Sequence, residues 1–333
     1  MYDDTSKFFD QFTQKWCDEH SSLLSTMANK RYLITGASRG IGFAIAHLCA
    51  RYGASVVLAS RDVSRSNDLV KELRSCYKTK GHRAIALDLS DLCSIEQVCT
   101  TLTNDKEVFD GVFANAGIAS GSQSVTKEGY NRTFFVNHIG HHALLMQLLD
   151  PMLTTKLGCR VVLQSSLRHW GANSFRDFSC YFDKQVGPML SAYADSKLAN
   201  LMFAKYVDDY ANASSLSLSV RCAHPGYVLT DINQFAHDVS YSGWWRSVWE
   251  VDVSALVLKV IPTLGLAQPS VFSGALPSVY AMLVNDPWFV GPRVLGLNGA
   301  PTKALMYYPA TNKHLQQKLW KLTVMLTKVD LPT

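Results

Sequence analysis

A tyrosine and a lysine four residues apart, Tyr193 and Lys197, lie in the apolar segment "LSAYADSKLANLMF" (190–203). On a helix this spacing places both side chains on one face. A free phenol has a pKa of about 10, and a fixed ammonium beside it favours the phenolate, so the pair could transfer a proton near neutral pH. The alternative is a half-exposed helix whose lysine reaches solvent along its aliphatic stem.

A glycine-rich stretch, "TGASRGIG" (35–42), is the second candidate for chemistry. It follows the β-type run "RYLIT" and precedes a helical period, which is the position of a dinucleotide-binding turn in an α/β fold. The glycines allow a tight turn and let a phosphate approach the backbone, and the helix N-terminus offers NH groups to an anion. A plain turn between a strand and a helix is the alternative. The expected cofactor contacts here are Gly36, Ser38, Arg39, Gly40, Ile41 and Gly42.

The residues after the second predicted strand indicate which cofactor would bind. An NAD site carries a carboxylate there for the ribose hydroxyls, whereas this chain has Ser60 followed by Arg61, with Arg39 in the glycine turn. Two guanidinium groups favour a 2′-phosphate, so we predict NADP(H), with NAD(H) as the alternative. Asp62 is the opposing signal, because it could neutralise Arg61 or bind the ribose itself. The two arginines could also be solvated surface residues.

The pattern of the chain indicates the scaffold that would position these residues. From residue 31, short β-rich runs alternate with helical periods. The predicted strands are "RYLIT", "SVVLAS", "RAIALD", "GVFANAG", "CRVVLQSS" and "LSVRCAHP". Strands joined by crossover helices form a parallel sheet covered on both faces, so we predict a single doubly wound α/β domain of the Rossmann type. We assign this domain to 31–325, after an N-terminal arm at 1–30 that is helical or loose.

The segment 232–288 is rich in Trp, Pro and Leu and shows no alternation of strands and helices. It follows "PGYVLTD", which should end near the open edge of the sheet, where α/β proteins bind ligands. We expect this segment to cover the substrate site with apolar walls that include Trp244, Trp245 and Trp249. The alternative is that it packs a C-terminal subdomain or a dimer interface.

Composition argues against several classes of protein. The 333 residues are 47% hydrophobic, and the basic residues behind the net charge of +5 are scattered, so we expect a sizeable core and no nucleic-acid partner. The eight cysteines show no CxxC pair and no zinc spacing, and we expect reduced core thiols. The first residues do not resemble a signal peptide, and prolines interrupt the apolar run 254–284. We expect an intracellular protein, cytoplasmic or on an organelle membrane surface, with membrane contact and homo-oligomers left open.

Five motifs occur in an order and spacing that resemble the short-chain dehydrogenase/reductase family. They are TGxxxGxG at 35–42, NAG at 115–117, SS at 165–166, YxxxK at 193–197 and HPG at 224–226. Within that family, "TKEGYNRTFFVNHIGHHALL" and "AYADSKLANLMF" look like the retinol dehydrogenase group, and "LQQKLWKL" looks like the catalytic domain of the WW domain-containing oxidoreductase. The resemblance covers roughly residues 25–325. No WW domain precedes the core, so we expect no partner recognition by such modules.

The resemblance implies roles for four polar residues. Tyr193 would exchange a proton with the substrate oxygen, and Lys197 would lower the pKa of Tyr193 and hold the nicotinamide ribose. Ser166 would hydrogen-bond the same oxygen, although the sequence alone does not separate it from Ser165. Asn137 would organise water near the lysine. Further cofactor contacts are implied for Asp88, Leu89, Asn115, Ala116, Gly117 and Thr230.

The function expected from these residues is NADP(H)-dependent interconversion of an alcohol and a carbonyl group on a lipophilic molecule, such as a retinoid, a steroid or a fatty aldehyde. A cofactor-binding scaffold or redox-sensing interaction protein with little turnover is the alternative. The complete set of Asn, Ser, Tyr and Lys favours the enzyme.

Overall fold

A computed structural model of the protein describes residues 8–119, 125–149, 158–172, 178–183, 189–228, 267–294 and 298–331. Its strands are β1 (Arg31–Thr35), β2 (Ser55–Ser60), β3 (Arg83–Ala86), β4 (Gly111–Ala114), β5 (Cys159–Gln164), β6 (Leu218–Ala223), β7 (Phe289–Val294) and β8 (Asn298–Lys303). They form one sheet in the order β3-β2-β1-β4-β5-β6-β7-β8. All neighbouring strands from β3 to β7 are parallel, and β8 is antiparallel to β7.

Helices pack against both faces of this sheet. They are α1 (Gln11–Glu19), α2 (Ser21–Ser25), α3 (Gly40–Arg51), α4 (Val63–Cys76), α5 (Leu92–Asn104), α6 (Arg132–Phe134), α7 (Gly140–Gln147), α8 (Met189–Ala213), α9 (Val271–Leu283) and α10 (Lys313–Thr327). A π-helical turn, Phe135–Ile139, joins α6 to α7, and 3₁₀ turns occupy Leu167–Gly171, Ser179–Tyr181 and Tyr308–Thr311. Successive residues of β1 belong to different core clusters: Leu33 lies in one cluster and Ile34 in the other. This is expected for a sheet buried on both faces.

The order of the strands determines where ligands can bind. β1 lies between β2 and β4, so the chain first builds the sheet toward β3 and then continues on the other side of β1. In such sheets a crevice opens at the carboxyl ends of the two strands where the direction changes. The glycine-rich turn follows β1 and the NAG motif follows β4, so both motifs lie at this crevice.

All six predicted strands are present, and the fold class is the predicted one. The sequence pattern missed β7 and β8. β7 contains Gly291 and Pro292, and β8 has the polar sequence "NGAPTK" at the edge of the sheet, so neither shows the apolar run of a central strand. An edge strand tolerates proline because one side of its backbone has no partner strand.

Helix α9 lies within 232–288, where the sequence shows no alternation of strands and helices. The helix at residues 271–283 was not predicted. The Ser270 hydroxyl caps the helix by accepting hydrogen bonds from the backbone NH groups of Phe272 and Ser273, and Pro277 is tolerated inside the helix. Phe272 is buried in the same core cluster as much of α3, so this part of the predicted covering segment belongs to a helical layer of the core.

The N-terminal arm is helical and packed in residues 8–30. Asp10 caps α1 by accepting from the backbone NH of Thr13 at 2.9 Å, and the Ser270 hydroxyl donates to the same carboxylate. The rings of Phe9 and Phe272 lie 4.8 Å apart, and Trp16 is buried. The arm therefore extends the core beside α9.

The eight cysteines are free thiols, and five of them are buried. Cys93 is exposed at the start of α5, so the expected core location is wrong for this residue. Among the residues that the structure describes, no helix combines the length and apolar character that crossing a membrane requires.

Candidate active site

The turn between β1 and α3 has the shape that a bound phosphate requires. Gly36 and Gly40 have φ angles of +66° and +59°, a region that favours glycine. A β-carbon on Gly42 would lie 2.4 Å from the Gly36 carbonyl oxygen, so a larger residue does not fit. A β-carbon on Gly40 would meet no atom of the described residues within 4 Å, so among these residues the N-terminus of α3 is open. This space and the helix N-terminus fit the pyrophosphate of a dinucleotide.

The NAG turn after β4 contacts the glycine turn directly. Asn115 Nδ2 donates to the Thr35 carbonyl oxygen at 2.9 Å, and the Ala116 backbone NH donates to Thr35 Oγ1 at 2.9 Å. A β-carbon on Gly36 would lie 2.8 Å from Ala116 Cα. The two turns therefore form one rigid edge of the crevice.

The residues expected to select the cofactor have clearly separated roles. Arg39 and Arg61 are exposed, and Ser38 and Ile41 are partly buried in the glycine turn. Asp62 is the N-cap of α4, where its carboxylate accepts from the Arg65 backbone NH at 3.0 Å. Asp62 is the carboxylate that argued against NADP(H), and the capping of α4 explains why an aspartate stands at this position. Arg39 and Arg61 are exposed cations on this side of the crevice.

Asp88 and Leu89 follow β3 and differ in what they can contact. Asp88 accepts hydrogen bonds from the Ser90 backbone NH and hydroxyl at 2.9 and 2.7 Å. Burial raises the pKa of Asp88, but these bonds and the charges of Arg61 and Arg132 produce a net lowering, so the carboxylate is ionised. Leu89 is buried in the same core cluster as Leu33, so its side chain forms part of the core rather than an open surface.

The structure distinguishes the two serines after β5. The Ser165 hydroxyl is buried and donates to the Lys197 carbonyl oxygen at 3.0 Å, which fixes helix α8 against the strand end. The Ser166 hydroxyl lies close enough to the Tyr193 hydroxyl to lower the pKa of the tyrosine, and it accepts from the Arg168 backbone NH at 3.2 Å. Ser166 is therefore the serine whose hydroxyl lies beside the tyrosine.

Tyr193 lies in the first half of α8 and is partly buried. Burial raises the pKa of Tyr193 above its ordinary value, although the Ser166 hydrogen bond and the Arg168 charge act in the opposite direction. The expected net lowering of this pKa is therefore wrong: Lys197 Nζ is 5.5 Å from the centre of the Tyr193 ring, and burial outweighs the groups that favour the phenolate. A protonated Tyr193 is a proton donor at neutral pH.

Lys197 is buried behind Tyr193. Its Nζ donates to the Gln164 carbonyl oxygen at 3.0 Å, and burial lowers the pKa of Lys197 to about 8. A β-carbon on Gly117 would lie 3.2 Å from this Nζ, so the NAG turn and the lysine are adjacent. The lysine therefore connects the reactive tyrosine to the cofactor crevice.

Asn137 lies in the π-helical turn and is fully buried. Its Oδ1 accepts from the Ile118 backbone NH at 2.8 Å, and its Nδ2 donates to the Ile118 carbonyl oxygen and to Ser196 Oγ, each at 3.0 Å. A β-carbon on Gly117 would lie 3.4 Å from Asn137 Oδ1. Extra turns of this kind inside helices occur often at functional sites, and this one places Asn137 beside the NAG turn and α8.

Two further residues, Thr35 and His141, stabilise this site and were not among the predicted site residues. Thr35 Oγ1 lies 3.0 Å from His141 Nε2, and His141 Nδ1 lies 3.0 Å from the Asn137 carbonyl oxygen. Burial lowers the pKa of His141 to about 4, so the ring is neutral. The position of His141 four residues after Asn137 was a signal for the second contact, but the first contact spans the fold.

Some predicted site residues lie outside the described part of the chain. Thr230 is one of them, as are Trp244, Trp245 and Trp249 of the predicted covering segment. Within the described residues, the structure brings four predicted residues together at the carboxyl ends of the strands, next to the glycine and NAG turns: Asn137, Ser166, Tyr193 and Lys197. A site at this position can hold a dinucleotide and place a hydroxyl pair beside a reacting oxygen.

Comparison with known proteins gives a family match over most of this region. Residues 30–239 match the family described as short chain dehydrogenase. Human retinol dehydrogenase 13 is 32% identical over 312 residues, which cover 93% of this chain and 88% of that protein. The WW domain-containing oxidoreductase of Gallus gallus is 31% identical over 227 residues, 66% of this chain, and the match spans about half (52%) of that relative.

Solved structures show the same architecture. A crystal structure of an uncharacterized protein from Mycobacterium paratuberculosis aligns with a TM-score of 0.69 and 27% sequence identity. The alignment covers 92% of this chain and 96% of that one. The likeness therefore extends beyond the nucleotide-binding strands into the C-terminal part of the fold.

Proposed function

The chain belongs to the short chain dehydrogenase family of NAD(P)-dependent oxidoreductases, which act on alcohol and carbonyl groups, and from this membership we propose that it is an NADP(H)-dependent enzyme for a lipophilic substrate. The observation that carries this proposal is the placement of the Ser166 hydroxyl beside Tyr193, with Lys197 buried behind the tyrosine. A scaffold has no need for this arrangement at the mouth of a cofactor crevice.

The proposed chemistry assigns one task to each of these side chains. The bound nicotinamide supplies or accepts the hydride. In the reducing direction the Tyr193 hydroxyl donates its proton to the substrate oxygen, and in oxidation the phenolate accepts the alcohol proton. The Ser166 hydroxyl hydrogen-bonds the same oxygen and holds it at the distance a proton transfer requires.

Lys197 and Asn137 act behind the tyrosine in this proposal. Lys197 holds the nicotinamide ribose and supplies a positive charge that favours the phenolate during oxidation. The buried Asn137 amide connects the NAG turn to Ser196 on α8. It also organises water near the lysine. The raised pKa of Tyr193 keeps it protonated at neutral pH, which suits the reducing direction.

The preference for NADP(H) is supported by charge. Arg39 and Arg61 are exposed near the expected position of the adenosine ribose, and the carboxylate of Asp62 is engaged as a helix cap. Guanidinium groups bind phosphate through paired, charge-assisted hydrogen bonds, so a 2′-phosphate would gain affinity here. The remaining proposed contacts are Gly36, Ser38, Gly40, Ile41, Gly42, Asp88, Leu89, Asn115, Ala116, Gly117 and Thr230, with Leu89 acting through its backbone.

The lipophilic substrate is supported by apolar groups around the Ser166 turn and by the names of the relatives. Trp170 is 47% exposed, and its ring lies 5.5 Å from that of Tyr307; Leu305 and Tyr308 are also largely exposed. Apolar walls with few polar groups are typical of sites for greasy ligands. We propose a retinoid, steroid or fatty aldehyde type of substrate. Free thiols support an intracellular location, in the cytoplasm or at an organelle membrane.

An absorbance assay of purified protein with NADPH tests the proposal. The substrates are retinal, steroid ketones, long-chain aldehydes and small polar carbonyl compounds, and parallel titrations measure the affinities for NADPH and NADH. We expect turnover with at least one lipophilic carbonyl compound and tighter binding of NADPH. A preference for small polar substrates contradicts the lipophilic site, and tight NADPH binding without any turnover favours a scaffold.

A further inference from the structure

His169 is a fully buried imidazole in the 3₁₀ turn that begins directly after Ser166. Its Nδ1 lies 2.5 Å from the Ser166 carbonyl oxygen, and its Nε2 lies 3.3 Å from the backbone nitrogen of Tyr307. A carbonyl only accepts a hydrogen bond and an amide NH only donates one. Nδ1 therefore carries the hydrogen and Nε2 the free electron pair, so both contacts require one neutral tautomer.

The surroundings of His169 suit a neutral ring. It packs edge-on against Phe289 with 5.6 Å between ring centres, and Trp170 lies against its other side. Burial lowers the pKa of His169, although its hydrogen bond to the Ser166 carbonyl oxygen acts in the opposite direction. His224, which follows β6, is also buried and has a lowered pKa. The imidazole is therefore a fixed structural connector.

One end of this connector controls where the Ser166 hydroxyl lies. The Ser166 carbonyl oxygen accepts from both the backbone NH of His169, at 3.1 Å, and the imidazole. This double contact closes the turn in which the Arg168 NH donates to Ser166 Oγ, the same oxygen that lies beside Tyr193. Loss of the imidazole donor would loosen the turn at the serine itself.

The other end is anchored in the C-terminal part of the chain. Tyr307 follows β8, and this segment is held to the sheet because the Ala304 NH donates to the Phe289 carbonyl oxygen at 2.9 Å. Gln316 Nε2 of α10 donates to the Ala310 carbonyl oxygen at 2.6 Å and fixes the following 3₁₀ turn. The Tyr307 backbone is thus held independently of His169.

We infer that His169 is a positioning residue that holds Ser166 against Tyr193 by connecting the Ser166 turn to the C-terminal segment at Tyr307. This inference rests on the proposed function, in which Ser166 contacts the substrate oxygen. It gives the C-terminal segment, which lies beyond the family match at 30–239, a direct part in ordering the reactive hydroxyl.

Two substitutions separate the two contacts of the ring. In His169→Asn the side-chain amide replaces Nδ1 and keeps a donor for the Ser166 carbonyl oxygen. In His169→Gln the longer side chain reaches the Nε2 position, where its oxygen can accept from the Tyr307 NH, and the Ser166 contact is lost. His47→Asn is the matched control, because His47 is equally buried and hydrogen-bonds Tyr77 in the other core cluster.

The measurements are kcat, KM and NADPH affinity, the pH dependence of alcohol oxidation, and thermal unfolding. We expect His169→Asn to keep kcat within about threefold, and His169→Gln to lose about tenfold or more in kcat with unchanged NADPH affinity. In His169→Gln the midpoint of the oxidation profile moves to higher pH, because the Ser166 hydrogen bond that lowers the pKa of Tyr193 is weakened. His47→Asn lowers only the unfolding temperature.

The inference is overturned if His169→Asn and His169→Gln lose the same activity as each other with no movement of the pH midpoint, since that pattern belongs to a residue that only packs. A wild-type protein that binds NADPH without turnover removes the proposed function instead. Hydrogen exchange over residues 159–172 then decides the question of His169. Faster exchange in His169→Gln than in His169→Asn supports the positioning role, and equal exchange overturns it.

Discussion

The two sides of the active-site crevice are constructed from different parts of the chain. The cofactor side is formed by the backbone of the glycine turn and the NAG turn. These two turns lie so close together that a β-carbon on Gly36 would be only 2.8 Å from Ala116 Cα. The reactive side is made of side chains, with Ser166 at the end of β5 and Tyr193 and Lys197 on α8. A change of side chain on the first side alters the path of the backbone, whereas on the second side it alters only the chemistry.

This difference predicts that fold and catalysis can be separated by mutation. Substitutions on the reactive side should reduce turnover while the protein stays folded, and only a change at Lys197, which would hold the nicotinamide ribose, should also weaken cofactor binding. Substitutions in the glycine turn should reduce stability and cofactor binding together.

The largest expected effects lie on the reactive side, where Tyr193→Phe removes one hydroxyl. We expect turnover to fall by at least about 100-fold, the usual contribution of a positioned acid, with unchanged thermal stability and NADPH affinity. Steady-state kinetics and a cofactor titration on the same preparation measure both. Lys197→Met should reduce turnover further and also weaken NADPH binding, because it removes the ribose contact. Wild-type turnover in Tyr193→Phe would remove this residue from the mechanism.

The pH dependence of the wild type sharpens the assignment of Tyr193. Because burial raises its pKa, the tyrosine stays protonated at neutral pH. Reduction should therefore be insensitive to pH below that pKa, and oxidation should accelerate as pH rises toward it. Initial rates in both directions over a range of pH test this, and an oxidation rate that falls with rising pH would contradict it.

The next effect concerns Arg61→Ala on the cofactor side. A charge-assisted hydrogen bond to phosphate is worth about 1.5–3 kcal/mol, so NADPH affinity should fall roughly tenfold to 100-fold while NADH affinity stays the same. Ser60→Ala is the control, because the Ser60 hydroxyl donates to the Asp62 carbonyl oxygen at 2.9 Å and does not depend on the cofactor. Equal affinities of the wild type for the two cofactors would contradict the assignment of Arg61.

The smallest expected effect is that of Gly42→Ala on stability. The added carbon would lie 2.4 Å from the Gly36 carbonyl oxygen, and overpacking of this kind costs about 1–3 kcal/mol. Gly171→Ala is the matched control, because a β-carbon there would meet no atom within 4 Å in the part of the chain that the structure describes. Denaturant unfolding and NADPH titration should show a joint loss for Gly42→Ala alone. A fully stable Gly42→Ala variant that still binds NADPH would show that the turn adapts.

The cofactor side was largely predictable from the sequence, and the supporting contacts of the reactive side were not. A phosphate-binding turn needs glycine at fixed intervals, so the motif 35–42 is visible in the sequence itself. The partners of His141 and His169 depend on which strands lie side by side: Thr35 is 106 residues from His141, and Tyr307 is 138 residues from His169. No local pattern encodes such pairs.

Burial explains two further differences between expectation and structure. The direction of the Tyr193 pKa depends on how far the ring is removed from water, which residue spacing does not determine. Helix α9 was not predicted and contains Pro277, and its capped N-terminus and buried face outweigh the hydrogen bond that proline cannot make. Tertiary packing overrides local preference in both cases.

The most direct test of the central claim follows the hydride itself. Purified protein is incubated with retinal and NADPH that carries deuterium at the transferred position of the nicotinamide, and the alcohol product is analysed by mass spectrometry beside a Tyr193→Phe sample. We expect deuterium-labelled retinol in the wild-type sample and almost no labelled retinol in the Tyr193→Phe sample. Tight NADPH binding with no labelled alcohol from retinal, a steroid ketone or a long-chain aldehyde would contradict it.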